Sequence, residues 1–127
     1  VYVRPVRHLI TALCAMAHYD EDETHAIELV ATEILNNSIE HGARDRRDTI
    51  CVTIVVRRDL FRIEVVDPGR GGESFARRAV QRAGERPGVQ DLRGRGLFLI
   101  RSMMDDMQVT YDEGHGTKVT ASKARAP

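Results

Sequence analysis

Glu33-Ile34-Leu35-Asn36-Asn37-Ser38-Ile39-Glu40-His41 sets a carboxylate, an amide and an imidazole at i, i+4 and i+8 on a largely apolar stretch. At helical spacing Glu33, Asn37 and His41 form one stripe, while Ile27, Val30, Ala31, Ile34 and Ser38 follow the i, i+3, i+4, i+7 pattern of a buried face. Two readings of the stripe stand on these residues alone: an active-site helix, or three solvated residues at the edge of an amphipathic one. The helix is expected to run from about Asp22 to His41, with Asp20 and Glu23 as a capping box and Gly42 as a left-handed stop.

The segment after the polar turn at Ala43 to Asp48 carries two β-patterned runs. Ile50, Val52, Ile54 and Val56 alternate with Cys51, Thr53 and Val55, and Leu60 to Val66 follows across Arg58-Asp59, which predicts a hairpin. Its second strand ends on Asp67-Pro68-Gly69-Arg70-Gly71. An Asp in that place is either a turn former or an acceptor for an exocyclic amine. Gly94-Arg95-Gly96 opens a predicted helix over Leu97 to Met104. It is either a glycine-rich entry or a phosphate cradle, since the free N–H groups of a first turn suit an anion. Neither the dinucleotide fingerprint nor the P-loop pattern is present, because position 99 is Leu and no Gly-Lys-Ser/Thr follows.

Met107 to Tyr111 and Lys118 to Ala121 predict a final hairpin around Gly114-His115-Gly116, with a frayed tail from Lys123 to Pro127. At the other end, Val1 to Val6 has the β-branched and aromatic content of a short edge strand limited by Pro5. A helix follows from Arg7 to Tyr19, with Leu9, Ile10, Leu13, Met16 and Ala17 as its apolar residues. The stretch from 72 to 93 reads as a lid loop holding a short helix over Phe75 to Ala83.

The chain of 127 residues, 42% hydrophobic, is the size of one domain with material for a core. Its 19 basic and 19 acidic side chains give it no overall electrostatic claim on nucleic acid or on an anionic membrane. Charge is uneven, however. Asp20 to Glu40 has seven acids and no Lys or Arg, whereas Arg70 to Arg95 has seven Arg, a composition that suits a polyphosphate as well as a solvated loop. Cys14 and Cys51 lie in apolar surroundings without metal-ligand spacing and are expected to be buried, reduced thiols. There is no apolar run long enough to span a bilayer and no signal core, so a cytoplasmic location is expected.

In order, these pieces resemble the ATP-binding domain of the GHKL superfamily, which includes gyrase, the heat-shock chaperones, sensor histidine kinases and MutL. Glu33-x-x-x-Asn37-x-x-x-His41 is similar to its N box, Asp67-x-Gly69-x-Gly71 to its G1 box, Gly94-x-Gly96 to its G2 box, and Gly116-Thr117 to its last element. The short form with Ile-Glu-His-Gly closing the N box is most similar to bacterial anti-sigma-factor serine/threonine kinases of the RsbW and SpoIIAB type. The resemblance implies an α+β fold spanning residues 1–127: a two-layer, Bergerat-type sandwich with a mixed, mostly antiparallel sheet and helices on one face.

It also implies ATP and Mg²⁺ as cofactors. Asn37 would hold the metal, Glu33 would act on the attacking hydroxyl, and Asp67 would accept from the adenine amino group. Gly69 and Gly71 would pass beneath the base, Gly94 and Gly96 would donate to phosphate, and Thr117 would support the adenine end. Arg93 or Arg95 is assigned to the terminal phosphate by charge and position, and His41 either touches phosphate or finishes the helix. The implied activity is γ-phosphoryl transfer to a Ser or Thr of a protein antagonist by a chain that doubles as an anti-sigma factor. Its implied partners are a sigma factor, a STAS-type anti-anti-sigma protein and a second copy in a homodimer. Two alternatives stay open: a non-catalytic, ATP-dependent binding module, and a catalytic domain detached from a larger sensor, which the start at Val1 allows.

Overall fold

A computed structural model describes residues 3–43, 45–70, 72, 77–78, 81 and 95–125. Helix α1 (Val3–Met16) and helix α2 (Glu21–Asn37) are followed by a π-helical turn, Ser38–Gly42, and then by strands β1 (Cys51–Val56) and β2 (Leu60–Asp67). Helix α3 (Arg95–Met103) and strands β3 (Asp106–Asp112) and β4 (Gly116–Ala124) complete the described elements. The four strands form one sheet in the order β1-β2-β4-β3, each described ladder being antiparallel. The expected α+β class and both hairpins are present.

The alternation along β2 shows how the layers meet. Phe61, Ile63, Val65 and Asp67 are buried on the helix side, whereas Leu60, Arg62, Glu64 and Val66 face outward and are more exposed. A period of two on a strand presents one apolar face, and the buried stripe of α2 covers it with Ile27, Val30, Ala31, Ile34 and Leu35. Each fully buried Phe or Ile contributes ~1.5–3 kcal/mol by leaving water, so this seam is the main cohesive term. α2 starts where it was expected to: Glu23 N donates to Asp20 Oδ1 at 2.8 Å and Asp20 N to Glu23 Oε1 at 3.3 Å, a complete capping box.

Several expectations are corrected. Residues Val3 to Val6 are helical, not an edge strand; Val3, Val6, Ile10 and Cys14 repeat at helical spacing and pack on the core or its border. Pro5 is tolerated because the first-turn N–H groups of a helix have no intrahelical acceptor to lose. Along α1 the inward line is Ile10 and Cys14, leaving Leu9 and Met16 exposed. Cys51, at the start of an edge strand, is exposed and free rather than buried. The stop after α2 is Ala43 in extended conformation, whose N–H donates to Ser38 O at 2.9 Å, and Gly42 stays within the π-helical turn.

The tail is also tied down rather than frayed through Arg125. The Arg125 guanidinium pairs with Glu23 at 2.6 and 3.0 Å, donates to Arg58 O at 2.6 Å and stacks 3.6 Å over the Tyr19 ring. Tyr19 in turn donates to Arg57 O at 2.7 Å, so the cluster binds the α1–α2 junction, the β1–β2 turn and the end of β4. It lies at the pole of the sheet opposite Asp67, since Asp67 pairs with Thr117 at one end of the β2–β4 ladder and Leu60 with Ala124 at the other. Arg77, Arg78 and Gln81, the described members of the helix expected over 75–83, are helical; the remainder of that helix and nearly all of the expected lid lie outside the described residues.

Candidate functional site

The buried polar residues of the described core are Ser38, Asp67 and Thr117, and they come from three elements that end at one pole. β2 carries Asp67 inward as the last step of its alternation. Antiparallel register sets Thr117 opposite it on β4, and the π-helical turn begins with Ser38, directly after α2 and in line with its buried face. Gly69 N donates to Asp67 Oδ1 at 2.7 Å, and the Ser38 hydroxyl and the Thr117 N–H also donate to this carboxyl. Burial pushes the Asp67 carboxyl up, and these three donors pull it partly back. A carboxylate so enclosed is an oriented acceptor, with the edge bound by Gly69 N fixed.

Glycine is required where the two strands of the site pass closest. Gly116 has φ of 90°, and a Cβ there would lie 1.9 Å from Asp67 O. Gly69 has φ of 71°, and its Cβ would lie 2.8 Å from Gly116 Cα and 2.9 Å from Tyr111 Cε2. Both positions are therefore closed to any side chain, by backbone conformation and by space. The two glycines belong to segments far apart in the chain that the β2–β4 register brings together.

Glu33 and Asn37 sit one α-helical turn apart in α2, both half-buried. Burial raises the Glu33 carboxyl above its ordinary value, and the charge of Glu40 raises it further. His41 falls within the π-helical turn, with Nε2 3.6 Å from Glu40 Oε2, so the α-helical stripe holds from Glu33 to Asn37 and is then taken over by a wider winding. Such single π-helical turns recur at functional sites. Gly71, Arg93 and Gly94 lie outside the described residues; Arg95 and Gly96 start α3, which packs on α2. Among the described residues no group of three or more His, Cys, Asp or Glu converges as a metal cage.

Ser38 is the residue whose part in the site sequence reasoning missed. The sequence pattern puts it on the buried face of the helix, and a hydroxyl at a core position needs a partner, a signal that points to a polar neighbour without naming Asp67.

A family model for the histidine kinase-like ATPase domain matches residues 1–123. The chain belongs to that family. Relatives of this histidine kinase-like ATPase domain include the serine-protein kinase RsbW of Listeria monocytogenes, 26% identical over 94% of this chain and 78% of the relative. Another is the anti-sigma F factor of Clostridium beijerinckii, 26% identical over 92% of this chain and 82% of the relative. That of Thermoanaerobacter is also 26% identical, over 92% and 81% respectively. No helix among the domain's described residues is long and apolar enough to cross a membrane.

Proposed function

We propose that this chain binds ATP with Mg²⁺ and transfers the γ-phosphoryl group to a Ser or Thr of a protein antagonist, while serving as the anti-sigma factor that this antagonist relieves. The observation that carries the reading is Asp67: a carboxyl buried at the end of β2, held by the Gly69 N–H at 2.7 Å and favoured in its charged form by Ser38 and Thr117, where the two glycines bring the ends of β2 and β4 into close contact. Such an acceptor favours adenine, whose exocyclic amine donates, over guanine, which has a carbonyl at the corresponding position. Names carried by relatives at 26% identity support the kinase and anti-sigma parts.

The roles follow the chemistry of each group. Asn37 would offer its amide oxygen to Mg²⁺, an oxygen donor of the kind this hard ion takes. When bound, the metal offsets the negative charge that the phosphates carry. Glu33, one turn earlier, accepts the proton of the attacking hydroxyl as its oxygen bonds to the γ-phosphorus and the bond to the β-phosphate oxygen breaks, releasing ADP. Its raised pKa makes it a stronger base than an exposed carboxylate. Gly94 and Gly96 donate backbone N–H groups to the phosphates, Arg93 or Arg95 meets the terminal phosphate, and His41 closes the phosphate end. Gly69 and Gly71 pass beneath the base, and Thr117 supports it.

In the same reading residues 1–127 act as one domain with residues 72–93 as its lid. The protein works in the cytoplasm as a homodimer, with a sigma factor and a STAS-type protein as partners.

The test separates binding from transfer. Glu33→Ala is expected to bind ATP within about twofold of wild type and to lose transfer from γ-labelled ATP by at least ~100-fold. Equal loss of both would make Glu33 structural and withdraw the base. Asn37→Ala is expected to lose the Mg²⁺-dependent part of binding, and tight Mg²⁺-dependent binding in that variant would remove Asn37 as ligand.

A further inference from the structure

Asp48 lies in the polar turn before β1, and Arg70 is the spacer residue between two glycines of the G1-like segment; neither carries an assigned role. In the fold they form a two-pronged pair, Arg70 Nη2 to Asp48 Oδ1 at 3.0 Å and Nε to Asp48 Oδ2 at 3.4 Å. A planar guanidinium fork matched to a carboxylate restricts orientation as well as distance. The partners are unequal: the Asp48 side chain is 7% exposed and that of Arg70 55%. Pairs between two exposed groups contribute little, but a carboxylate this enclosed has given up much of its water, so loss of the Arg70 fork is felt.

Each partner is fixed on its own side. Asp48 Oδ2 accepts from Asp45 N at 3.1 Å, Asp48 N donates to Asp45 O at 3.0 Å, and Asp45 Oδ1 accepts from Arg47 N at 2.9 Å. Arg70 sits inside the turn closed by Gly72 N donating to Gly69 O at 2.9 Å, which begins two residues after Asp67. The ion pair thus ties the segment that leaves the π-helical turn to the turn that leaves β2. Ser38, at the head of the π-helical turn, bears on Asp67 at the end of β2, so the ion pair is a second link between neighbouring parts of the same two stretches of chain.

We propose that Asp48 and Arg70 are a positioning clasp for the adenine end of the nucleotide site, holding the Gly69–Gly72 turn so that Asp67 and the Gly69 backbone stand in place before the base arrives. Neither residue touches the base; both act through the turn. The inference rests on the reading of Asp67 as the adenine acceptor. Because the clasp acts at the base end, its loss weakens ADP and ATP by the same factor, whereas a residue at the phosphates separates the two.

The experiment is calorimetric titration of ADP and of ATP, each with Mg²⁺, into wild type, Arg70→Ala, Arg70→Lys, Asp48→Asn and the double variant Asp48→Asn with Arg70→Ala. Thermal melting is followed alongside as a check of folding. Arg70→Ala is expected to raise both Kd values by about 5–10-fold with an unchanged ATP-to-ADP ratio, since ordering a loose loop on binding lowers affinity. Arg70→Lys, which keeps charge but not the fork, is expected to fall between and also covers the case in which the alanine variant does not fold. The double variant is expected to bind no more weakly than the weaker single variant, the mark of one coupled unit.

Wild-type affinity in both Arg70 variants, additive losses in the double variant, or a loss confined to ATP would each overturn the clasp and leave the Asp67 reading standing. A wild type that binds neither nucleotide would overturn the Asp67 reading and the clasp with it.

Discussion

Asp67 combines two opposed tendencies, because burial disfavours its charge while Ser38, Gly69 and Thr117 donate to it. Removing one donor shifts that balance in a known direction. Ser38→Ala is expected to push the Asp67 carboxyl still higher, visible in carboxyl-carbon NMR titration, and to cost about 1–3 kcal/mol in urea unfolding because a buried acceptor loses a partner. An Asp67 titration unmoved by the change would remove Ser38 from the site. Glu33 gives a second test at this scale. Since Glu40 adds to its raised pKa, Glu40→Gln is expected to bring the Glu33 titration down toward the ordinary carboxylate range without restoring it, as burial is the larger cause. The spacing of Glu33 and Asn37 one helical turn apart and the place of Asp67 at the end of a strand were legible from residue type and spacing, and Ser38 only as a polar residue on an apolar face. What could not be read was the partner, because the contact between Ser38 and Asp67 is made by tertiary packing between α2 and β2.

Elements set the site through register, and the glycines show how tightly. Gly116→Ala places a Cβ 1.9 Å from Asp67 O in a backbone at φ of 90°, so the β2–β4 ladder must open at the site. A loss of at least ~3 kcal/mol is expected, from backbone strain and overlap together. Gly72→Ala meets a positive φ of 74° but open space, so only the conformational term remains and the expected loss is ~1 kcal/mol. Equal losses in urea unfolding would mean that crowding at Gly116 is not what fixes it.

The hairpins and α2 were legible because their periodicities are clean: period two in β1 and β2, and a buried stripe ending at Ser38. The start of the chain was not. Val3 and Val6 are β-branched and read locally as strand, yet they fall in line with Ile10 and Cys14 once helical, and packing on the core overrides propensity. The exposure of Leu9 and Met16 has the same cause, since a one-sided helix with apolar residues on two faces leaves its choice of face to its neighbours.

Across the whole molecule the two poles do different work. One holds the site; the other is fastened by Arg125 to Glu23, Arg58 and Tyr19, bringing the end of β4 back to the start of α2. The Arg125 guanidinium holds the Glu23 carboxyl down to about 2 from an ordinary 4.5. A depressed carboxyl favours the fold when ionised, so this stability is present above pH 4.5 and is lost as pH falls through about 2. Arg125→Met is expected to cost about 1–3 kcal/mol at pH 6, with the difference from wild type shrinking steadily below pH 4.5. A difference independent of pH would mean that Arg125 acts by packing on Tyr19 alone. This pole was not legible, as no local signal links a residue near the end of the chain to one at the start of α2 and the closing segment reads as a polar tail.

The adenine site proposed on Asp67 is tested by calorimetric titration with ATP and with GTP, each with and without Mg²⁺, on wild type and on Asp67→Asn. Adenine-selective, Mg²⁺-dependent binding to wild type, abolished in Asp67→Asn, is expected. Binding of ATP and GTP with equal affinity, binding untouched by the substitution, or no binding at all would contradict it.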